Sequence, residues 1–147
     1  MVALRLPQGR PCGETNAAPV ESITQVHASD APNPIGPYSQ AIVCGEFIFC
    51  SGMVGIDPAT GKLVDGGVAV ETKRVLDNLS SVLSAAGSSL ASLVKTTIYL
   101  TEIGDFGAVN AVYGQYVGSP PPARATVAVA ALPAGSHVEI DAIAKHG

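Results

Sequence analysis

The chain has 147 residues, which fits one domain with a core of its own and leaves little for a second. Hydrophobic residues make up 47% and charged residues 14%, too apolar for a disordered chain and lightly charged for a small soluble monomer. The net charge is −4 and the eight Lys and Arg are scattered, which argues against nucleic acid as a partner; no apolar run approaches the ~20 residues of a membrane span. The charge deficit reads as surface hidden against other copies of the chain.

Residues 1–22 stand apart. A short apolar-basic start leads into Pro7, Gly9, Pro11, Gly13 and Pro19, with Arg5 and Arg10 ahead of the first acid, Glu14. The apolar stretch is too short for a secretory signal. An irregular extension is expected there, and a single domain over 23–147.

Strand candidates come first: Ile23–Val26, then Ser39–Cys44 and Phe47–Gly52, the last two joined by Gly45-Glu46 as a two-residue hairpin turn. Pro32 and Pro34 make Ala31–Gly36 a loop. Asp57–Lys62 reads as a polar turn and Asp65-Gly66-Gly67 as a turn before a helix. In that helix Thr72, Val75, Leu76, Leu79, Val82, Leu83 and Ala86 form an apolar stripe. Glu71, Lys73, Arg74, Asp77, Asn78 and Ser81 take its other sides. Gly87 marks the stop. Leu93–Leu100 is a strand with Val94, Ile98 and Leu100 on one face. A second helix runs from about Asp105, with Phe106, Val109, Tyr113 and Tyr116 as its stripe, until Gly118 and Pro120-Pro121-Pro122. Arg124–Ala130 and Val138–Ala144 are the closing strands.

The order β-β-β-α-β-α-β-β predicts an α+β fold, one antiparallel or mixed sheet with two helices on one face. No segment remains to cover the other face. Burial there at about 25 cal/mol per Å² makes self-association the economical cover.

Cys12, Cys44 and Cys50 show no metal or redox spacing; Cys44 and Cys50, in apolar stretches, read as buried thiols, which suits a reducing, cytoplasmic setting. His27, His137 and His146 share no spacing, so neither a metal site nor a Ser-His-Asp triad is expected.

Charge intrudes on two apolar strands. Alternation puts Arg124, Thr126 and Ala128 on one face of their strand and sets Glu139 and Asp141 against Val138, Ile140 and Ala142 on the last. If apolar sides carry the helices, Arg124 and Glu139 share the uncovered face. There they form either an interfacial salt bridge or a small-anion pocket, in which Arg clamps a carboxylate and Glu holds a water or moves a proton. Tyr38 after Gly36-Pro37, Asn110 on the second helix, and Ser51-Gly52 at a strand end are weaker candidates. Gly52 has no side chain to keep a ligand from its backbone.

These pieces fall in the order of a known family. Ile35-Gly36-Pro37-Tyr38-Ser39-Gln40-Ala41, Ser51-Gly52, Asp57–Gly61, Leu76-Asp77-Asn78-Leu79, Lys95–Leu100, Phe106–Asn110, Pro122–Val127 and Val138–Ala144 together resemble the Rid (YjgF-type) family of reactive-intermediate imine deaminases, over about residues 23–145. The resemblance implies a chorismate-mutase-like homotrimer with active sites at subunit clefts. It also implies hydrolysis of 2-imino acids, such as 2-iminobutanoate and 2-iminopropanoate, to 2-oxo acids and ammonia. Arg124 matches the carboxylate clamp and Glu139 the water-positioning acid. Tyr38, Ser51, Gly52 and Asn110 match pocket positions, and Thr126 matches a position whose backbone N–H assists the carboxylate. No cofactor is implied; pyridoxal phosphate belongs to the upstream enzymes that release the imines. Rival readings are a small-carboxylate binder without turnover, a ribonuclease, which the acidic balance disfavours, and a chorismate mutase, which would need more cations than Arg124.

Overall fold

Apolar residues that alternate along six segments give the chain one mixed sheet. The computed structural model describes residues 22–147. The expected extension and Cys12 lie outside the described residues, apart from Ser22. Strands β1 (Ile23–Val26), β2 (Ala41–Cys44), β3 (Phe47–Val54), β6 (Leu93–Leu100), β7 (Ala123–Ala128) and β8 (Val138–Lys145) line up in the order β1-β2-β3-β8-β6-β7. Neighbours are antiparallel except β6 and β7, which are parallel and joined by helix α2 (Phe106–Tyr116). Cys44 pairs with Phe47, so Gly45-Glu46 is the expected two-residue turn. The anticipated element order holds with one addition: the polar turn is flanked by a small hairpin of β4 (Ile56–Asp57) and β5 (Lys62–Leu63).

Helix α1 (Val68–Ala85) packs its stripe against the sheet, with Val75, Leu76, Leu79, Val82 and Leu83 fully buried. It ends as the sequence predicts. Gly87 has φ 75°, its N–H reaches Ser84 O at 3.0 Å, and Ser88 N–H reaches Leu83 O at 2.8 Å. That paired closure needs a residue at ease in the left-handed region. Across α1, Ile48, Ile98, Leu100, Val138, Ile140 and Ala144 complete the core. Cys50 is buried in this layer, and burial, with Asp141 nearby, pushes its thiol up to about 12.

Both helices lie on one face of the sheet, and among the described residues no element covers the other. Phe49 and Val127 stay 46% and 42% exposed there. Three expectations are corrected. A register shift between Leu93 and Lys95 turns Val94 outward, and Thr96 takes the buried position, bonded to Tyr113 Oη at 2.7 Å. Glu71 and Asn78, assigned to the outer sides of α1, are both buried. Arg124 and Glu139 do not share a face: Arg124 pairs with Thr96 on the helix side of β6, and Glu139 pairs with Tyr99 on its open side.

Candidate functional site

The cleft that matters opens on the uncovered face. It measures about 330 Å³ and lies between the 32–38 loop and the joined ends of β3 and β8. Pro32, Ile35, Met53, Val54, Ile56 and Pro133 give it apolar walls, and Tyr38, Ser51, Gly52 and Glu139 bring the polar groups. Four of the expected site residues therefore meet here.

A β-bulge places two of them. Cys50 pairs with Ala142 and Met53 with Ile140, so β3 carries one residue more than β8 across this stretch. Ser51 and Gly52 occupy the bulge, the device that re-aims backbone and side chains beside a site. Ser51 Oγ donates to Ser39 O at 2.6 Å, and Ser51 N–H donates to Gln40 O at 3.0 Å. With its hydrogen committed to a carbonyl, this hydroxyl is a strut and not an activated nucleophile.

Gly52 meets its requirement by close approach. A Cβ there would collide with Glu139 Oε1 and come within 2.7 Å of Cδ. The carboxylate thus stands directly over the Gly52 backbone. Burial pushes the Glu139 carboxyl above the ordinary glutamate range, and the charge of Asp141, two residues on, adds to the push. Asp141 is itself held by Tyr99, whose Oη donates to Oδ2 at 2.8 Å.

The loop carrying Tyr38 is held by a residue the sequence offered only as part of a motif. Gln40 is buried; its Oε1 accepts the Ala28 N–H at 2.7 Å, and Nε2 donates to Ala28 O and Pro32 O at 3.2 and 2.8 Å. Tyr38 stays exposed at the mouth, its Oη accepting the Ile35 N–H at 3.3 Å. Neither Gln40 nor the apolar walls could be assigned from spacing, because their partners are distant in sequence.

Arg124, Asn110 and Thr126 lie elsewhere. Arg124 pairs with Thr96 and Thr126 with Ile98, residues on the helix side of β6, whereas Glu139 pairs with Tyr99 on the open side. Arg124 is exposed at the edge strand, with Cζ 5.4 Å from the Phe106 ring centroid and 5.1 Å from that of Tyr113. Both rings belong to α2, and helical spacing sets Asn110 on the same stripe. Among the described residues no ion pair engages Arg124. Thr126 Oγ1 is buried without a hydrogen-bond partner. Arg124 and Thr126 share a face of β7, as alternation predicts, but its apolar side and its helix side do not coincide. There α2 presents aromatic faces, which suit a guanidinium, and Ala125 and Val127 point to the open side. Two strands and three residues along separate the Cα atoms of Arg124 and Glu139 by roughly 14 Å, and the sheet lies between their side chains.

Fold and cleft together define an α+β domain with a small-molecule-sized cleft on the open face of its sheet. The chain belongs to the endoribonuclease L-PSP family, also called the YjgF or Rid family, whose model matches residues 28–146. It is 52% identical over 121 residues to Protein DfrA of Myxococcus xanthus, covering 81% of this chain and 92% of the relative. It is 49% identical over 122 residues to the human 2-iminobutanoate/2-iminopropanoate deaminase, covering 83% and 89%. The crystal structure of RidA from Psychrobacter sp. PAMC 21119 superposes with a TM-score of 0.81 at 38% identity, covering 83% of this chain and 98% of that one.

Proposed function

We propose that the protein hydrolyses 2-imino acids to 2-oxo acids and ammonia, with 2-iminobutanoate and 2-iminopropanoate as substrates, at clefts shared between the copies of a homotrimer. The observation that carries this is the Glu139 carboxylate poised over the Gly52 backbone inside an apolar cleft. The names of the deaminase relatives support the same reaction.

The chemistry asks little beyond placement. A protonated imine is already electrophilic, so water adds to C=N without a covalent nucleophile. Arg124 holds the substrate carboxylate through its paired N–H donors, assisted by the Thr126 backbone N–H. Gly52 C=O accepts a hydrogen bond from the imine N–H and favours its charged form. Glu139 takes a proton from the attacking water as the C–O bond of a carbinolamine forms. It then passes that proton to nitrogen and takes the hydroxyl proton as the C–N bond breaks and the C=O bond forms, and the departing ammonia carries the last proton away as ammonium. The elevated proton affinity of Glu139 suits both halves of that shuttle. Tyr38, Ser51 and Asn110 shape the pocket. Holding reactants in place supplies up to roughly 7–11 kcal/mol in favourable cases, enough to make positioning the main contribution.

Arg124 and Glu139 of one chain lie on opposite faces of its sheet, too far apart for one small acid to touch both. A cleft that uses both takes Arg124 from one copy and Glu139 from the next, which favours the shared arrangement. The uncovered sheet face is where copies would meet.

The test generates 2-iminobutanoate with an amino-acid oxidase in the presence of semicarbazide, which traps free imine. Wild-type protein is expected to suppress the semicarbazone signal and Arg124→Ala to lose that suppression by about 100-fold or more in kcat/KM. If 2-oxobutanoate binds but no imine is consumed, the protein is a carboxylate binder instead. RNA cleavage that survives Arg124→Ala in protein freed of copurifying nuclease would point to the ribonuclease reading.

A further inference from the structure

Helix α1 sends two buried polar side chains toward the two walls of the cleft. Asn78 Nδ2 donates to Val54 O and Ile56 O at 3.2 and 2.8 Å, and both of those residues line the cleft. Glu71, two turns earlier on the same side of the helix, reaches the other wall. It is 2% exposed, and both carboxylate oxygens are committed to one residue. Oε2 accepts the His137 backbone N–H at 2.8 Å, and Oε1 lies 2.6 Å from His137 Nδ1. Among the described residues no other group donates to this carboxylate.

His137 sits between two parts of the cleft. Pro133 lies four residues before it and Glu139 two residues after it. The intervening turn is tied by Ser136, whose N–H and Oγ both donate to Pro133 O, at 3.1 and 2.7 Å. His137 C=O accepts the Thr101 N–H at 3.1 Å. The His137 side chain remains 52% exposed, so packing does not fix it and the carboxylate does. On the other side of Glu71, a Cβ on Gly55 would stand only 3.1 Å from the Glu71 Cα, which brings the helix against the β3–β4 corner. A buried carboxylate keeps its partners because losing one leaves a charge stranded away from water.

We propose that Glu71 is a positioning residue: its two-point hold on His137 fixes the start of β8 and so sets where the Glu139 carboxylate stands over Gly52. Tolerances at a reacting group are on the order of 0.5 Å, which a loosened strand start exceeds. The kinetic consequence rests on the imine-hydrolase reading, whereas the structural consequence does not.

The experiment pairs a carboxyl-13C NMR titration of Glu139 with kcat and KM for 2-iminobutanoate, in wild type, Glu71→Gln and His137→Ala. His137→Ala keeps the backbone contact and changes a half-exposed side chain, so it remains testable if Glu71→Gln does not fold. The Glu139 midpoint is expected to move by about half a pH unit in both variants, further in Glu71→Gln. In parallel, kcat falls about tenfold with KM within about twofold, and His137→Lys, which restores a cation, recovers most of the loss. An unmoved midpoint in His137→Ala overturns the positioning role, and so does a raised KM with kcat unchanged. If wild type hydrolyses no imine, the hydrolase reading fails, and the titration still decides the role of Glu71.

Discussion

Glu139 and Arg124 belong to the same sheet, yet the fold holds them in opposite ways. Glu139 is half-buried, backed by a β-bulge, flanked by Asp141 and seated over a glycine that admits nothing larger. Arg124 rests on two aromatic rings at the exposed edge strand, with no carboxylate of the described residues to satisfy it. One side chain is placed by its own chain's interior, the other is displayed outward. On the proposed reading, the difference teaches that a group meant to handle protons is given a controlled environment, whereas a clamp meant for a carboxylate is given a fixed direction and an unspent charge.

Mixing variants puts the strongest strain on that contrast. Arg124→Ala and Glu139→Gln are each expected to be inactive, but unfolding and refolding them together in equal amounts should restore activity. In a randomly assembled trimer about one cleft in four would combine an intact Arg124 with an intact Glu139 from the neighbouring copy. No recovery in verified mixed oligomers would place both groups in a site within one chain.

Gly52→Ala tests the enclosed half alone. The added methyl displaces the Glu139 carboxylate, so kcat/KM should fall about 100-fold in the semicarbazide assay. Thermal unfolding should drop by several degrees, since overfilling a packed site costs roughly 1–3 kcal/mol. Activity close to wild type would show that Glu139 has another working position.

The smallest expected effect concerns the support behind β8. The hydrogen bond to Glu71, then its charge, raises the His137 pKa above the ordinary 6.5. The stabilisation is therefore full below that unfolded value and is lost as pH rises through the higher folded one. The Tm advantage of wild type over His137→Ala should shrink by about 1–2 °C from pH 6 to pH 9, a modest figure because the ring is half exposed. A gap that widens with pH would contradict the pairing.

The sequence disclosed the parts that depend on local rules. Period-two and period-3.6 patterns place every main strand and both helices, Gly87 ends α1, and Gly45-Glu46 turns the hairpin. Tyr38, Ser51, Gly52 and Glu139 are also legible in the sequence as candidates, and they converge on one cleft. What stayed hidden depends on partners distant in sequence. Glu71 and Asn78 look like outward-facing polar residues until His137, Val54 and Ile56 are folded against them. The face of Arg124 is not legible in the sequence, because alternation gives two sides without saying which one a helix covers. The shift at Val94 and the bulge at Ser51-Gly52 break the alternation itself.

The buried thiol of Cys50 has a practical consequence. With its proton affinity pushed up to about 12, it forms almost no thiolate at neutral pH, and the core shields it from reagents. Alkylation at this position must wait for β3 to come away from β8 or α1. With Cys12 and Cys44 replaced by Ser, labelling of Cys50 becomes a clock for opening of the central sheet. It reads the stability of the scaffold beneath the cleft in native buffer, without denaturant and independently of substrate.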